Sequence, residues 1–323
     1  MEQSDGRRIA RPALRAAGAI WRFWQLRSQF SEARATFERL LGLPGAAAGD
    51  RAKALIGAGG IAYWQGDFES MARHYREARE LSETAGDLAV LADALYNESY
   101  VPFLLEGDAD AARSLLNRAL DLYRQTGNAI GVAEAESSLG FSYFFTGELQ
   151  AAIPFQERAV GAYRAAKARW QLSESLLGLS TMYAQAGDWK RAIATMRESL
   201  ALARELAVKV GVAMIVEWAG ASAGWVGDLE RGARLLGKAD EMKEGLGAAA
   251  PSQLVQTEAQ RSRARDALGE DRYEQLRSEG ARLSTADAIR LVEQFEPSPN
   301  APPAPSPRPL GMAARGGEAG EAM

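Results

Sequence analysis

The sequence predicts an all-α fold, a right-handed superhelical solenoid of helical hairpins with a small C-terminal helical cap. Two observations lead to this prediction. A glycine followed by an acidic residue recurs at a nearly constant interval, and the residues around each such pair alternate between small and large at helical spacing. The length of 323 residues also favours a repeat array, because its core grows by stacking whereas a single globular core does not.

Each glycine–acid pair predicts the tight turn inside one hairpin. Glycine takes the left-handed conformation that ends a helix, and an aspartate can then cap the first free amides of the next helix. The pairs are Gly66-Asp67, Gly107-Asp108, Gly147-Glu148, Gly187-Asp188 and Gly227-Asp228. Their period is about 40 residues. One further unit fits upstream with Ser28 in place of the glycine, which predicts six helix pairs over residues 11–247.

The residues that flank these turns show how the paired helices pack. The position five residues after the turn is small in all units except the second. It holds Ala33, Met71, Ala112, Ala152, Ala192 and Gly232. Small residues at a fixed crossing let two helices approach closely, while large ones fill the space toward the next pair. This alternation is that of the tetratricopeptide repeat (TPR), and a period longer than its usual ~34 residues predicts TPR-like pairs of longer helices.

The pattern changes at both ends of the array. Residues 1–10 are expected to form a flexible N-terminus. Residues 248–295 are predicted to form a helical cap, with Ser284 at the N-cap of its last helix. Its expected helices are Ser252–Leu268, Glu270–Leu283 and Thr285–Phe295. Residues 296–323 are rich in Pro, Gly and Ala and are predicted to form a disordered tail, because such a composition buries little apolar surface.

Composition argues against several classes of function. A net charge of -4 provides no basic face, so direct nucleic-acid binding is not expected. The sequence has no cysteine and one histidine, His74, which lies between Arg73 and Arg76 in a helical run and is interpreted as a packing or solvated residue. No apolar stretch is long enough for a membrane span. We therefore expect a cytoplasmic protein with no metal, no cofactor and no membrane partner.

Two stretches imitate nucleotide-binding motifs. Residues 57–62 match the Gly-x-Gly-x-x-Ala form of the dinucleotide fingerprint, and residues 232–239 have the glycine and lysine spacing of a P-loop but end in alanine. Both motifs function only where a strand meets a helix. Here both lie within predicted helices, so packing is the preferred interpretation. No catalytic constellation stands out, and the chain is not expected to be an enzyme.

The predicted binding surface is the concave one, which the first helix of each unit lines. The side chains expected on it combine aromatic rings with carboxylates and amides. They are Tyr63, Trp64, Asn97, Glu134, Phe141, Phe144, Phe145, Glu174, Gln185, Glu217 and Trp225. Such a surface suits a protein or peptide partner, or a cationic or aromatic small-molecule inducer. The alternative interpretation is that several of these aromatic rings pack against the next unit.

Segments at both ends of the array resemble a known family. They run from Leu14 to Trp24, Phe30 to Leu41, Ala233 to Glu241, Arg265 to Tyr273 and Glu279 to Ile289. They resemble the helical arm of bacterial STAND-class ATPase regulators, which include LuxR-type and SARP-type transcriptional regulators and cyclase-linked ATPases. The resemblance covers about residues 10–295 and implies a sensor and protein-interaction arm. The sequence lacks the residues of that family's ATPase and DNA-binding domains, so no ATP or DNA role is implied.

Two functions remain open from the sequence. The first is an interaction module of a bacterial signalling or transcriptional regulator, either as a fragment of a longer ATPase regulator or free-standing. The second is a stand-alone TPR adaptor that scaffolds a protein complex.

Overall fold

A computed structural model describes residues 2–246, 257–298 and 300–305, with side chains from residue 11 onward. These residues form fifteen α-helices and one π-helical segment, without any strand among them. The helices are α1 (Glu2–Leu26), α2 (Phe30–Leu41), α3 (Ala48–Trp64), α4 (Phe68–Ala85), α5 (Leu88–Glu98), α6 (Ala109–Gln125), α7 (Ala129–Phe145), α8 (Leu149–Ala165), α9 (Arg169–Gln185), α10 (Trp189–Glu205), α11 (Lys209–Trp225), α12 (Leu229–Leu246), α13 (Thr257–Leu268), α14 (Glu270–Ala281) and α15 (Thr285–Glu293). The predicted all-α, TPR-like repeat fold is confirmed.

The glycine turns have the geometry that the sequence predicts. Gly66, Gly107, Gly147, Gly187 and Gly227 all have positive φ, between 69° and 100°. The amide of the residue after the glycine then donates to a carbonyl of the preceding helix, as from Asp67 N to Ala62 O at 2.9 Å. Side chains of Asp67, Asp108, Asp188 and Asp228 accept a hydrogen bond from a backbone amide three residues later. Glu148 makes no such cap.

Three turns use a residue other than glycine in the same conformation. Ser28, Lys167 and Ala207 have φ between 54° and 56°. Ser28 is the residue that replaces glycine in the first unit, and the other two lie between units. An L-residue is strained in this region by roughly 1–2 kcal/mol, so the surrounding helices hold these turns.

Proline interrupts one helix. α5 ends at Glu98, and the π-helical segment Pro102–Glu106 follows. Pro102 has no amide hydrogen for the carbonyl four residues earlier, and its ring displaces that turn. The last turn before Gly107 is widened as a result.

The described chain divides into two compact units, residues 2–142 and residues 143–305, at a point within α7. In the first unit α1, α3 and α5 lie next to one another in chain order. The contacts of α3 with α1 and α2 depend on glycine. An added Cβ on Gly57 would lie 2.7 Å from Phe37 Cζ, and one on Gly60 would lie 2.7 Å from Trp21 Cζ3. Residues 57–62 are therefore a packed segment of α3 and not a nucleotide-binding turn.

In the second unit α12 packs against α11 and against the cap helix α14. An added Cβ on Gly232 would lie 2.9 Å from Gly224 N of α11, and one on Gly237 would lie 2.9 Å from Arg277 C of α14. The P-loop-like residues 232–239 thus lie inside a helix whose glycines permit close approach on two sides. Ser284 caps α15, as its hydroxyl accepts from Asp287 N at 3.1 Å.

The structure differs from expectation at both termini. α1 begins at Glu2, within the segment expected to be flexible. Residues 300–305, predicted to belong to a disordered tail, lie against the second unit, where Ala304 N donates to Ala184 O at 2.9 Å. The expected start of the cap at 248–256 and the tail at 306–323 lie outside the described residues.

Candidate ligand-binding surfaces

The first unit carries a row of polar groups on the first helices of its hairpins. Arg22 of α1 forms an ion pair with Glu134 of α7, at 3.1 Å. The hydroxyls of Tyr96 on α5 and of Tyr100, just after the end of α5, are 3.2 Å apart, and Ser138 of α7 donates to Tyr96 at 3.4 Å. These five side chains, together with Asp93, Asn97 and Tyr63, are called the tyrosine–carboxylate surface below. They come from four successive hairpins.

Asp93 is an acid of this surface whose pKa is perturbed. Burial raises the pKa of its carboxyl, and the Tyr123 hydroxyl opposes that shift by donating to Asp93 Oδ1 at 2.9 Å. The pKa of Tyr123 is in turn raised, first by burial and then by the nearby charge of Asp93. Asn97 donates to the Asp93 backbone carbonyl at 2.7 Å. The Tyr123 hydroxyl of α6 therefore holds the Asp93 carboxyl in place.

The chemistry of this surface is that of polar recognition. Carboxylates accept hydrogen bonds from cationic or amide groups, tyrosine hydroxyls both donate and accept, and tyrosine rings provide apolar contact area. The rings of Tyr63 and Tyr100 are 5.8 Å apart, so the aromatic area continues from α5 to α3. The carboxyl groups of Asp93 and Glu134 can both accept from a cationic ligand, and the nearby charges of Lys53 and Arg22 act to lower the pKa of Asp93.

Three of the residues that the sequence predicts for a binding surface belong to the tyrosine–carboxylate surface. Tyr63, Asn97 and Glu134 are all half-buried. Phe141 is also half-buried and lies on α7. Trp64 does not belong to the surface: it is only 8% exposed and stacks on Phe30 with ring centroids 6.2 Å apart. The prediction for Trp64 is wrong because its side chain packs against the preceding hairpin.

In the second unit three of the predicted residues are core. Phe144 and Phe145 are 1% and 5% exposed, with ring centroids 5.3 Å apart, so neither offers a surface to a ligand. Glu217 is 1% exposed, and Lys243 of α12 donates to it at 2.7 Å. Glu174, Gln185 and Trp225 remain partly exposed.

Sequence reasoning missed several residues that the structure brings together. Arg22, Asp93, Tyr96 and Tyr100 were not among the side chains expected on the predicted binding surface. The available signal was the four-residue spacing of Tyr96 and Tyr100, which places both rings on one face of a helix. Nothing in the sequence indicated that Arg22 would meet Glu134 from three hairpins away.

Two further observations concern the described residues alone. No cluster of three or more histidine, cysteine or acidic side chains among them could hold a metal ion. None of the helices within the described ranges is both long enough and apolar enough to cross a lipid bilayer.

The sequence profile of the tetratricopeptide repeat matches residues 50–125 and 131–205. These segments are tetratricopeptide repeats. They include the hairpins that contribute Tyr63, Asp93, Tyr96 and Glu134 to the tyrosine–carboxylate surface. No curated protein matches the chain in sequence comparison.

Solved structures with TPR folds resemble the chain. A Rap protein complexed with competence and sporulation factor is 15% identical, with a TM-score of 0.60 over 84% of this chain and 71% of that one. The STAND protein with a tetratricopeptide repeat sensor from Pyrococcus horikoshii is 13% identical, with a TM-score of 0.51 over 87% of this chain. The chain spans 44% of that protein. At these identities the likeness establishes the fold.

Proposed function

We propose that this chain is the protein- or peptide-binding module of a bacterial signalling or transcriptional regulator and acts in the cytoplasm. The TPR fold generally serves as a binding scaffold. Similar folds occur in a Rap protein complexed with competence and sporulation factor and in the repeat sensor of a STAND protein, which supports a role in signal reception. A small-molecule inducer would use the same surface.

The tyrosine–carboxylate surface is the observation that carries this proposal. It spans four hairpins: side-chain hydrogen bonds join the first, third and fourth, and the ring of Tyr63 in the second contacts Tyr100. Part of each side chain faces solvent. A ligand that bridges these hairpins exchanges existing contacts, such as Arg22 to Glu134, for contacts of its own. We propose a peptide that presents a lysine, an arginine or a free amino terminus to Asp93 and Glu134, with its backbone against Tyr96 and Tyr100.

The test begins with selection of a displayed random peptide library on the full chain. The affinity of the selected peptides is then measured by fluorescence anisotropy for Glu134→Gln and Tyr96→Phe. A hydrogen bond to a charged group contributes ~1.5–3 kcal/mol, so Glu134→Gln should weaken binding by ~10-fold or more. Glu80→Gln is the matched control, since Glu80 is exposed on α4.

Equal affinities for Glu134→Gln, Tyr96→Phe and the control would place the binding site elsewhere. Thermal unfolding of each variant separates a lost contact from a lost fold. A peptide whose affinity falls with rising salt, and falls less steeply for Glu134→Gln, would support the charge complementarity proposed for this surface.

The second candidate is a stand-alone TPR adaptor that scaffolds a complex. The fold that this chain shares with a STAND sensor favours the regulator. The genomic sequence immediately upstream of Met1 distinguishes the two. An ATPase coding region in frame supports the regulator, and an unrelated complete gene in that place supports the adaptor.

A further inference from the structure

Residues 301–305 lie against the second unit and reach two tryptophans from different hairpins. The indole Nε1 of Trp225, the last residue of α11, donates to Pro303 O at 2.6 Å. The indole Nε1 of Trp189, the first residue of α10, donates to Pro302 O at 3.1 Å. Two successive carbonyls of this segment are thus bound by two side chains that can only donate.

The backbone of the segment matches this arrangement. Proline fixes its own φ and holds the residue before it extended, so Ala-Pro-Pro-Ala-Pro at 301–305 favours a polyproline II conformation, whose carbonyls project outward. Ala304 contributes the one backbone amide hydrogen between Pro302 and Pro305, and it donates to Ala184 O at 2.9 Å. Ala184 lies in the last turn of α9, where helix carbonyls have no amide donor within the helix, and its carbonyl accepts from both Ala304 N and, at 3.1 Å, Gly187 N.

The site also has an apolar floor at the turn between α9 and α10. Gly187 has a φ of +78°, and a Cβ built on it would lie 3.4 Å from Pro303 Cγ. The proline ring therefore rests directly above the glycine of the turn. The four residues Ala184, Gly187, Trp189 and Trp225 are called the proline site below. Gln185, which the sequence assigned to the binding surface together with Trp225, lies in the same turn.

The segment before residues 301–305 is anchored on its own. Phe295 is 2% exposed and packs edge to face on Trp189, with ring centroids 6.5 Å apart. Arg231 donates to Gln294 O at 2.9 Å, and Arg197 donates to Glu293 O at 2.9 Å. These contacts hold the end of the cap beside the proline site, so the short connection keeps the tail at a high effective concentration there.

The geometry points to a recognition site for a proline-rich segment in hairpins five and six, with residues 301–305 as its intramolecular occupant. The site binds two adjacent proline carbonyls and the amide hydrogen of the residue that follows them. The sequence pattern that provides these groups is Pro-Pro-x-Pro, where x is not proline. Recognition of polyproline II segments by tryptophan side chains is a recurring mode of peptide binding. A proline-rich segment of another protein occupies the site when the tail leaves it.

This inference does not depend on the proposed function, because the proline site shares no residue with the tyrosine–carboxylate surface. Either one can fail while the other stands. The two are tested with different peptides and different variants.

The first experiment asks whether the tail occupies the site. In the full-length chain the Ala304 amide should exchange with solvent more than ~10-fold slower than in a free peptide of residues 300–305, because it is hydrogen-bonded. Trp225→Phe removes one donor and should return the rate toward that of the peptide. Trp170→Phe is the matched control, since the buried Trp170 indole has no hydrogen-bond partner among the described residues. If the Ala304 amide of the unmodified chain exchanged as fast as in the free peptide, the inference would be overturned.

The second experiment asks whether the site binds a peptide in trans. The probe is a fluorescent Asn-Ala-Pro-Pro-Ala-Pro peptide, and the full-length double variant Pro302→Gly, Pro303→Gly weakens the competing tail. With an effective concentration of about 1 mM and a peptide Kd of about 100 μM, the double variant should bind the probe ~10-fold more tightly than the unmodified chain.

Adding Trp189→Phe and Trp225→Phe to the double variant should abolish this gain, whereas adding Trp170→Phe should preserve it. A probe in which proline replaces the second alanine lacks the amide hydrogen and should bind more weakly. Binding that is equal in all variants, or absent up to several millimolar probe in the double variant, would overturn the proposed recognition site.

Discussion

The crossing of α12 and α14 provides a sharp test of the packing argument. A Cβ built on Gly280 of α14 would lie 2.6 Å from the carbonyl carbon of Arg234 in α12, and it would also contact the Arg234 carbonyl oxygen. The obstacle is backbone, which cannot rotate away as a side chain can. In Gly280→Ala the two helices must therefore separate by about 1 Å, and such a gap forfeits roughly a quarter to a half of the dispersion energy across it.

The magnitude follows from the side chains behind the crossing. Tyr273 and Leu276 of α14 are both 0% exposed and pack with Ala233 and Ala264. Burial of one such side chain contributes ~1.5–3 kcal/mol, so the separation should cost ~1–3 kcal/mol. Alanine regains ~0.5–1 kcal/mol of helix propensity. The net prediction is a loss of ~0–2.5 kcal/mol in the free energy of unfolding.

The matched control is Gly161→Ala in the interior of α8, where an added Cβ meets nothing within 4 Å. There the substitution should stabilise the chain by ~0.5–1 kcal/mol. Urea unfolding followed by circular dichroism gives both values, and hydrogen exchange of α14 amides localises the effect of Gly280→Ala to the cap. If Gly280→Ala were as stabilising as Gly161→Ala, the close backbone approach would be refuted.

Three further predictions concern single residues. Asp67→Ala removes the cap on Ser70 N and should lower the free energy of unfolding, measured with urea, by ~1 kcal/mol. The pKa of Asp67 is lowered, chiefly by this backbone hydrogen bond, so the stability that the Asp67 carboxylate contributes should be lost as pH falls through that lowered pKa. Ala207→Gly should raise the free energy of unfolding by ~0.5–1 kcal/mol in the same assay, because Ala207 has a φ of 54°; no gain would contradict the assigned turn. For Asp93 the pKa is raised by burial, so ionising it destabilises the fold, and the unmodified chain should gain stability relative to Asp93→Asn as pH falls through that raised pKa; parallel profiles would contradict this.

Local chemistry explains which features could be predicted. The turn at Gly66-Asp67 depends on one residue that tolerates positive φ and one that caps the following amides, and both properties can be read from four or five residues. The same holds for Ser284 at the start of α15. The nucleotide-like stretch at residues 57–62 was correctly assigned to packing because its glycines fit the helical spacing of the hairpin.

The candidate sites could be predicted only in part. Tyr63, Asn97 and Glu134 lie on the tyrosine–carboxylate surface, but Trp64, Phe144 and Phe145 are buried. A position two or three residues before a turn lies on one side of its helix, yet its exposure depends on the neighbouring helices that cover that side. This information is not contained in the spacing of one hairpin.

The sequence by itself determined the elements of this protein: the helices, their turns and their order, since helical periodicity, capping and positive φ are properties of neighbouring residues. The tertiary structure decided which faces remain accessible, because accessibility depends on side chains that lie far apart in the chain. Arg22 meets Glu134 across three hairpins, and a proline-rich tail finds an indole donor on each of two hairpins. Composition alone classed that tail as disordered, because the free energy that orders it comes from its partners.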